Sequence, residues 1–181
     1  DKLLTIMESE NVDFKDLIYT VRHFKDVKVH VIGDTIVDKY SYCSLLGQNG
    51  KTPTFSVKRE SEKMFIGGAG IVAKHLQSLG AEVTFTTVLG IDNLKEFVIN
   101  DLLDIKLNAI IDDRPTTLKE RFWVDGYKVL QVDNVDNRVI SNQILDEMWV
   151  KIKIPTDIVI FSDFRHGIFS KSTISYLSSL I

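Results

Sequence analysis

Apolar residues recur at Phe14, Leu17, Ile18, Val21 and Phe24, the spacing of one helix face, and Asp13 stands before them as an N-cap, so the pattern predicts an amphipathic helix; the first dozen residues read as linker. The next apolar stretch, 29–33, reads as a buried first strand. Residues 35–42 continue extended toward a polar turn at Gly47-Gln48-Asn49-Gly50-Lys51, and 54–59 and 63–66 read as two more strands of a small sheet set off from the main one. A helix is expected over 68–79, stopped by Gly80, then a strand over 82–89, a helix over 93–103 and a strand over 107–111. The order is that of βα units carrying a β insertion. Residues 116–124 and 128–133 flank Asp125-Gly126, a pair that favours a tight hairpin turn. Ser141 caps a helix running to Lys153. The almost purely apolar run 157–161 has the character of a strand in the middle of a parallel sheet, and a helix over 170–181 follows. There is no repeat period and no low-complexity tract.

Composition narrows the class. With 181 residues, 44% of them hydrophobic, and a net charge of −3, the chain suits one globular domain with a true core. Lys and Arg are scattered rather than striped, which argues against a nucleic acid or an anionic membrane surface as partner. No apolar run approaches the roughly 20 residues needed to span a bilayer, and the acidic start lacks the layout of a signal peptide. Cys43 is the only cysteine, so no intrachain disulfide framework exists and a cytoplasmic location is the natural expectation. A start at Asp1 and a last helix with no strand after it lead us to expect a segment of a longer protein.

Candidate chemistry gathers at expected strand ends. In open parallel sheets, ligands bind beyond the carboxyl ends of the strands, where loops converge and helix N-termini offer free N–H groups. Asp34, Asp38, Gly67, Gly68 and Asp163 fall at such ends. Carboxylates accept hydrogen bonds from sugar hydroxyls, and a Gly-Gly step lets backbone approach the same ligand. Asp34 has an alternative as a turn or cap residue that satisfies local N–H groups, and Gly67-Gly68 as a tight strand-to-helix turn. His166 is the one histidine in a candidate loop, open to a general-base role, a phosphate contact or a plain surface position. His23, His30 and His75 fall on other expected elements, which does not support a metal cluster, and Cys43 reads as a small buried filler. Phe122, Trp123 and Trp149 read as packing or lid contacts. No Gly-x-Gly-x-x-Gly follows the first strand, which disfavours a plain dinucleotide-binding domain.

Six segments in order carry a resemblance: Gly33-Asp34-Thr35-Ile36-Val37-Asp38-Lys39-Tyr40; the strand pair that follows it; Gly67-Gly68-Ala69-Gly70 to Leu79-Gly80-Ala81; Thr87-Val88-Leu89-Gly90-Ile91-Asp92; Pro115-Thr116-Thr117-Leu118-Lys119; and Ser162-Asp163-Phe164 to Gly167. From about Val27 onward the chain resembles PfkB-type carbohydrate kinases of the ribokinase superfamily, above all the kinase module of bacterial ADP-heptose synthesis and relatives in which such a module follows a nucleotidyltransferase domain. The resemblance implies an α/β fold: a Rossmann-like parallel sheet flanked by helices, with a small β lid over about 38–66 and 116–133, the domain occupying 27–181 behind a linker and leading helix at 1–26. It implies sugar contacts at Asp34, Asp38, Gly67 and Gly68, with Lys119 and Asp163 near the pocket, ATP and Mg²⁺ for the complete kinase, and a homodimer through the lid. Two departures accompany it. Ile71 stands where the family usually carries a sugar-binding Asn, which suggests a degenerate module for sugar sensing or assembly as an alternative. The family's catalytic loop belongs to a C-terminal half not matched here, so no catalytic residue is assigned and this chain alone is expected to be inactive.

Overall fold

The computed structural model describes residues 2–48, 50 and 54–179. Two four-stranded sheets organise them. The first is parallel, with β1 (Lys28–Gly33), β4 (Glu82–Gly90), β5 (Lys106–Asp112) and β8 (Ile158–Ser162) in the order β5-β4-β1-β8. Alternate residues of its strands feed two cores. Val29, Val31, Val83, Phe85 and Leu89 pack with Ala69 and Ala73 of α3 (Ala69–Ser78) and Val98 of α4 (Asn93–Asp101). On the other face Ile32, Val88 and Ile110 pack with Ile144, Met148 and Ile152 of α5 (Asn142–Ile152) and Leu177 of α6 (Lys171–Ser178). Both faces of a parallel sheet are buried because its crossovers lay helices on each side, and that is why these strands read as apolar runs.

The second sheet is mixed and forms the lid: β2 (Thr35–Gln48), β3 (Phe55–Gly68), β6 (Thr117–Val124) and β7 (Tyr127–Asn134) in the order β3-β2-β6-β7. β2 pairs antiparallel with β3 and parallel with β6, and β6 and β7 form the expected hairpin. At its turn Asp125 and Gly126 both take positive φ, 47° and 87°, the backbone that suits the twist of a two-residue hairpin. The lid is rooted at the parallel sheet: one residue, Asp34, separates β1 from β2, and Gly68 passes directly into α3.

The caps follow the sequence. Asp13 accepts from the N–H groups of Lys15 and Asp16 at the start of α2 (Phe14–Arg22), Asp92 caps α4, and Ser141 caps α5. Three expectations are corrected. The leading dozen residues are not all linker, since Lys2–Ser9 forms a helix, α1. Segments 54–59 and 63–66 are not two strands but parts of one fourteen-residue strand, β3, whose charged middle pairs with β2 across a bulge. The apolar run expected at 157–161 forms β8, at an end of the described sheet order and not in its middle. Of the expected turn at 47–51, residues 49 and 51 lie outside the described residues, as do the last two positions of the expected final helix.

Candidate functional site

Where β1 ends, its backbone turns over Asp34, which is only 2% exposed. Its Oδ2 accepts from the N–H of Phe164 at 2.9 Å and of His166 at 3.2 Å, and its Oδ1 from that of Ile168 at 3.4 Å. A buried carboxylate that collects several backbone N–H groups holds the loop that supplies them. Asp34 therefore fastens the 163–168 loop to the parallel sheet. Its carbonyl also accepts from Ala69 N–H at 2.8 Å, tying the start of α3 to the same point. Gly68, the N-cap, sits at φ 59°, and a Cβ there would lie 2.4 Å from the Asp34 carbonyl oxygen, so only glycine fits this junction.

Asp38 lies four residues on, within β2 rather than at a strand end. It is the register partner of Lys119 on β6 and of Phe65 on β3. Its Oδ1 accepts from Arg121 Nη1 at 2.5 Å, and a Cβ on Gly67 would come 2.5 Å from its Oδ2. Arg121 in turn lies over the Tyr40 ring, 5.4 Å from its centroid, and the Asp38 carboxylate holds its pKa above the usual guanidinium value. Asp38, Tyr40, Lys119 and Arg121 thus share one face of the lid, because side chains two apart on a strand point the same way and register partners lie on one face. Lys119 makes no ion pair among the described residues, and its other register partner is Asp133.

His166 joins the two halves. Its ring feels both the Asp34 side and the lid: burial lowers its pKa, Asp34 opposes that, Lys119 lowers it further, and Asp133 and Asp163 oppose. Nδ1 lies 2.8 Å from Asn137 Oδ1. Arg114, buried at the same place, donates from Nε to Asp112 at 2.6 Å and from Nη1 to the carbonyls of Arg138 at 3.0 Å and His166 at 3.3 Å. Between these groups lies a cavity of about 10 Å³ lined by Asp34, Thr35, Arg114, Thr117, His166 and neighbours. Asp163 is exposed, its Oδ1 accepting from Arg165 N–H at 2.7 Å in a local turn.

The structure thus gathers Asp38, Gly67 and Lys119 on the lid, and Asp34, Gly68, Asp163 and His166 around the root of the lid and the loop after β8. Sequence reasoning missed Arg121, Asp133, Asn137 and Arg114. Arg121 could have been found from its place two residues beyond Lys119 on an expected strand. Asp133 could not, because the two-residue turn by itself sets Val132 opposite Lys119, and only the bulge near Phe122 and Trp123 moves Asp133 into that place.

No model of a protein family matches the chain. Among curated proteins it is similar to the bifunctional protein HldE of Desulfatibacillum aliphaticivorans, 27% identical over 181 residues that make up 96% of this chain and 36% of that protein. It is likewise similar to HldE of Helicobacter acinonychis, 34% identical over 151 residues, 78% of this chain and 32% of that one. The chain spans about a third of the length of these relatives. Among solved structures it matches a putative phosphofructokinase from Staphylococcus aureus with a TM-score of 0.65 and 18% identity, covering 84% of this chain and 49% of the other. Phosphofructokinase-2 from Escherichia coli in complex with fructose-6-phosphate matches with a TM-score of 0.63 and 14% identity, covering 84% and 50%. The resemblance carried by the sequence motifs stands: in sequence the chain matches HldE proteins, and in fold it is ribokinase-like.

Proposed function

We propose that this ribokinase-like chain is the sugar-side and lid portion of a carbohydrate kinase which, as a whole protein, transfers phosphate from ATP to a sugar or sugar phosphate of the heptose-phosphate kind, in the synthesis of nucleotide sugars or cell-surface glycan precursors. The observation that carries this is the lid face over the sheet's carboxyl edge. There a carboxylate, Asp38, lays its Oδ2 in the space that a Cβ on Gly67 would fill, and two cations, Lys119 and Arg121, stand beside it. Carboxylates suit sugar hydroxyls, and Arg and Lys suit a phosphate. Asp34, Gly68 and Asp163 contribute by shaping the loop and the start of α3. ATP with Mg²⁺ is the donor expected of the whole protein. Among the described residues no three His, Cys, Asp or Glu side chains converge on a common point, so these residues do not make a metal site by themselves. The second reading, a non-catalytic module for sugar sensing or assembly, is favoured by Ile71, an apolar side chain in the first turn of α3.

Calorimetric titration of this chain with fructose 6-phosphate and a heptose 7-phosphate tests the common part of both readings. Binding should be measurable, and Asp38→Asn should weaken it at least tenfold, since a hydrogen bond to a charged group is worth about 1.5–3 kcal/mol. Absence of binding to either compound, or equal affinity in the variant, sinks the site assignment. Phosphoryl transfer by the full-length protein then separates kinase from sensor.

A further inference from the structure

The geometry points to His166 as the residue that receives a hydroxyl of the bound sugar, on its Nε2 atom, with Asp34 and Asn137 holding the ring for that purpose. This rests on the sugar-binding reading above and goes beyond it by assigning the atom and the protonation state. A carbonyl-type oxygen such as Asn137 Oδ1 only accepts, so the ring proton lies on Nδ1, 2.8 Å away, and Nε2 carries a lone pair. Nε2 is buried and has no hydrogen-bond partner among the described residues. An unmet buried acceptor is costly, and native proteins satisfy it with a water or a ligand. The neighbouring cavity, about 10 Å³, has the size of a single oxygen atom with its hydrogens.

Asp34 and Thr35, two other acceptor-bearing residues around that space, already have partners. Both Asp34 oxygens are spent on the 163–168 loop, and Thr35 Oγ1 pairs with Thr87 Oγ1 at 2.8 Å. A hydroxyl entering there finds Nε2 open. The ring is aimed by its loop, in which Arg165 and Gly167 take positive φ, 64° and 94°, on either side of His166. This backbone is unfavourable for Arg165, and the Asp34 carboxylate, bound to the N–H groups of residues 164, 166 and 168, holds it. Burial favours the neutral ring, helped by Lys119 and opposed by Asp34, Asp133 and Asp163, and the Arg114 guanidinium lies on the His166 carbonyl. A neutral ring with a bare Nε2 is suited to a hydroxyl and unsuited to a phosphate oxygen, which requires a donor.

The test combines imidazole ¹⁵N spectra of the unmodified 181-residue chain with titration of fructose 6-phosphate and a heptose 7-phosphate between pH 5 and 8. The spectra should show His166 protonated on Nδ1 with Nε2 bare. Affinity should rise as pH passes through the His166 pKa, below 6.5, and then level off. His166→Ala should lose at least tenfold in affinity, and His166→Gln, which keeps an acceptor, should recover part of it. Asn137→Asp should move the pH midpoint upward, because a carboxylate beside Nδ1 favours the charged ring; a histidine that only packs would show no such movement. A proton on Nε2 in the spectra overturns the proposal without any substitution. Wild-type binding matched by His166→Ala overturns it alone, whereas no binding of either sugar phosphate by the wild type removes the sugar reading and this proposal together.

Discussion

Asp34 shows how far a residue's role is legible before its neighbours are known. The sequence places a carboxylate at a strand end and leaves two uses open, ligand contact and satisfaction of local N–H groups. The three amides that Asp34 collects come from residues some 130 positions away, a separation no local pattern reveals. Asp34→Asn keeps the shape but replaces an acceptor with an NH₂ facing other N–H groups, so it should lower stability by about 2–3 kcal/mol, read by urea denaturation. An unchanged midpoint would refute the anchoring role. His30 carries a second residue-scale consequence. It is fully buried on β1, its Nε2 lies 2.7 Å from Thr86 Oγ1, Nδ1 is unpartnered among the described residues, and burial, with Lys106 adding to it, lowers its pKa from 6.5 to about 4. The folded chain then binds fewer protons at this site than the unfolded chain between those values. This contribution is complete above pH 6.5 and is lost as pH falls toward 4, by up to roughly 3 kcal/mol. Denaturation midpoints should fall over that window in the wild type and fall less in His30→Leu.

At the scale of elements, strands and helices that alternate with strong caps and apolar runs were legible, because the local signal and the tertiary burial agree. The exceptions have distinct causes. β3 looked broken because Glu60, Ser61 and Glu62, between the two expected strands, are poor strand formers. In the fold they lie on a solvated lid, where Arg59, Glu62, Lys39 and Glu120 pair across three strands and β2 supplies the backbone partners. The bulges that set the lid register are invisible in a propensity pattern. The junction glycine was legible as a turn, but its cause, the Asp34 carbonyl, was not. Gly68→Ala adds a Cβ 2.4 Å from that oxygen at φ 59°, so it should cost at least about 2 kcal/mol. Circular dichroism melts of this variant should show a clear fall in midpoint, while Gly126→Ala, where no described residue lies within 4 Å of an added Cβ, should lower it less.

Over the whole molecule, the expected α/β architecture with a separate β lid is what the structure shows, and the site we propose lies between its two sheets. The lid's other face exposes Leu45, Phe55, Val57, Tyr127 and Val129, which line an apolar hollow of about 410 Å³. Such a surface calls for a partner, and a second copy meeting lid to lid is the assembly we expect. Light scattering should give a dimer at micromolar concentration and a monomer for Val57→Glu; a wild-type monomer at that concentration rules the arrangement out. β2 leaves the parallel sheet after a single residue and runs on for fourteen. At roughly 3.3 Å per residue it is a lever of about 45 Å, so a rotation of about five degrees at its fulcrum sweeps the tip by about 4 Å. The fulcrum is Asp34 and Gly68, the same pair that grips the His166 loop and the start of α3. A slight rotation there would be geared up into a displacement of several ångströms at the far end of the lid.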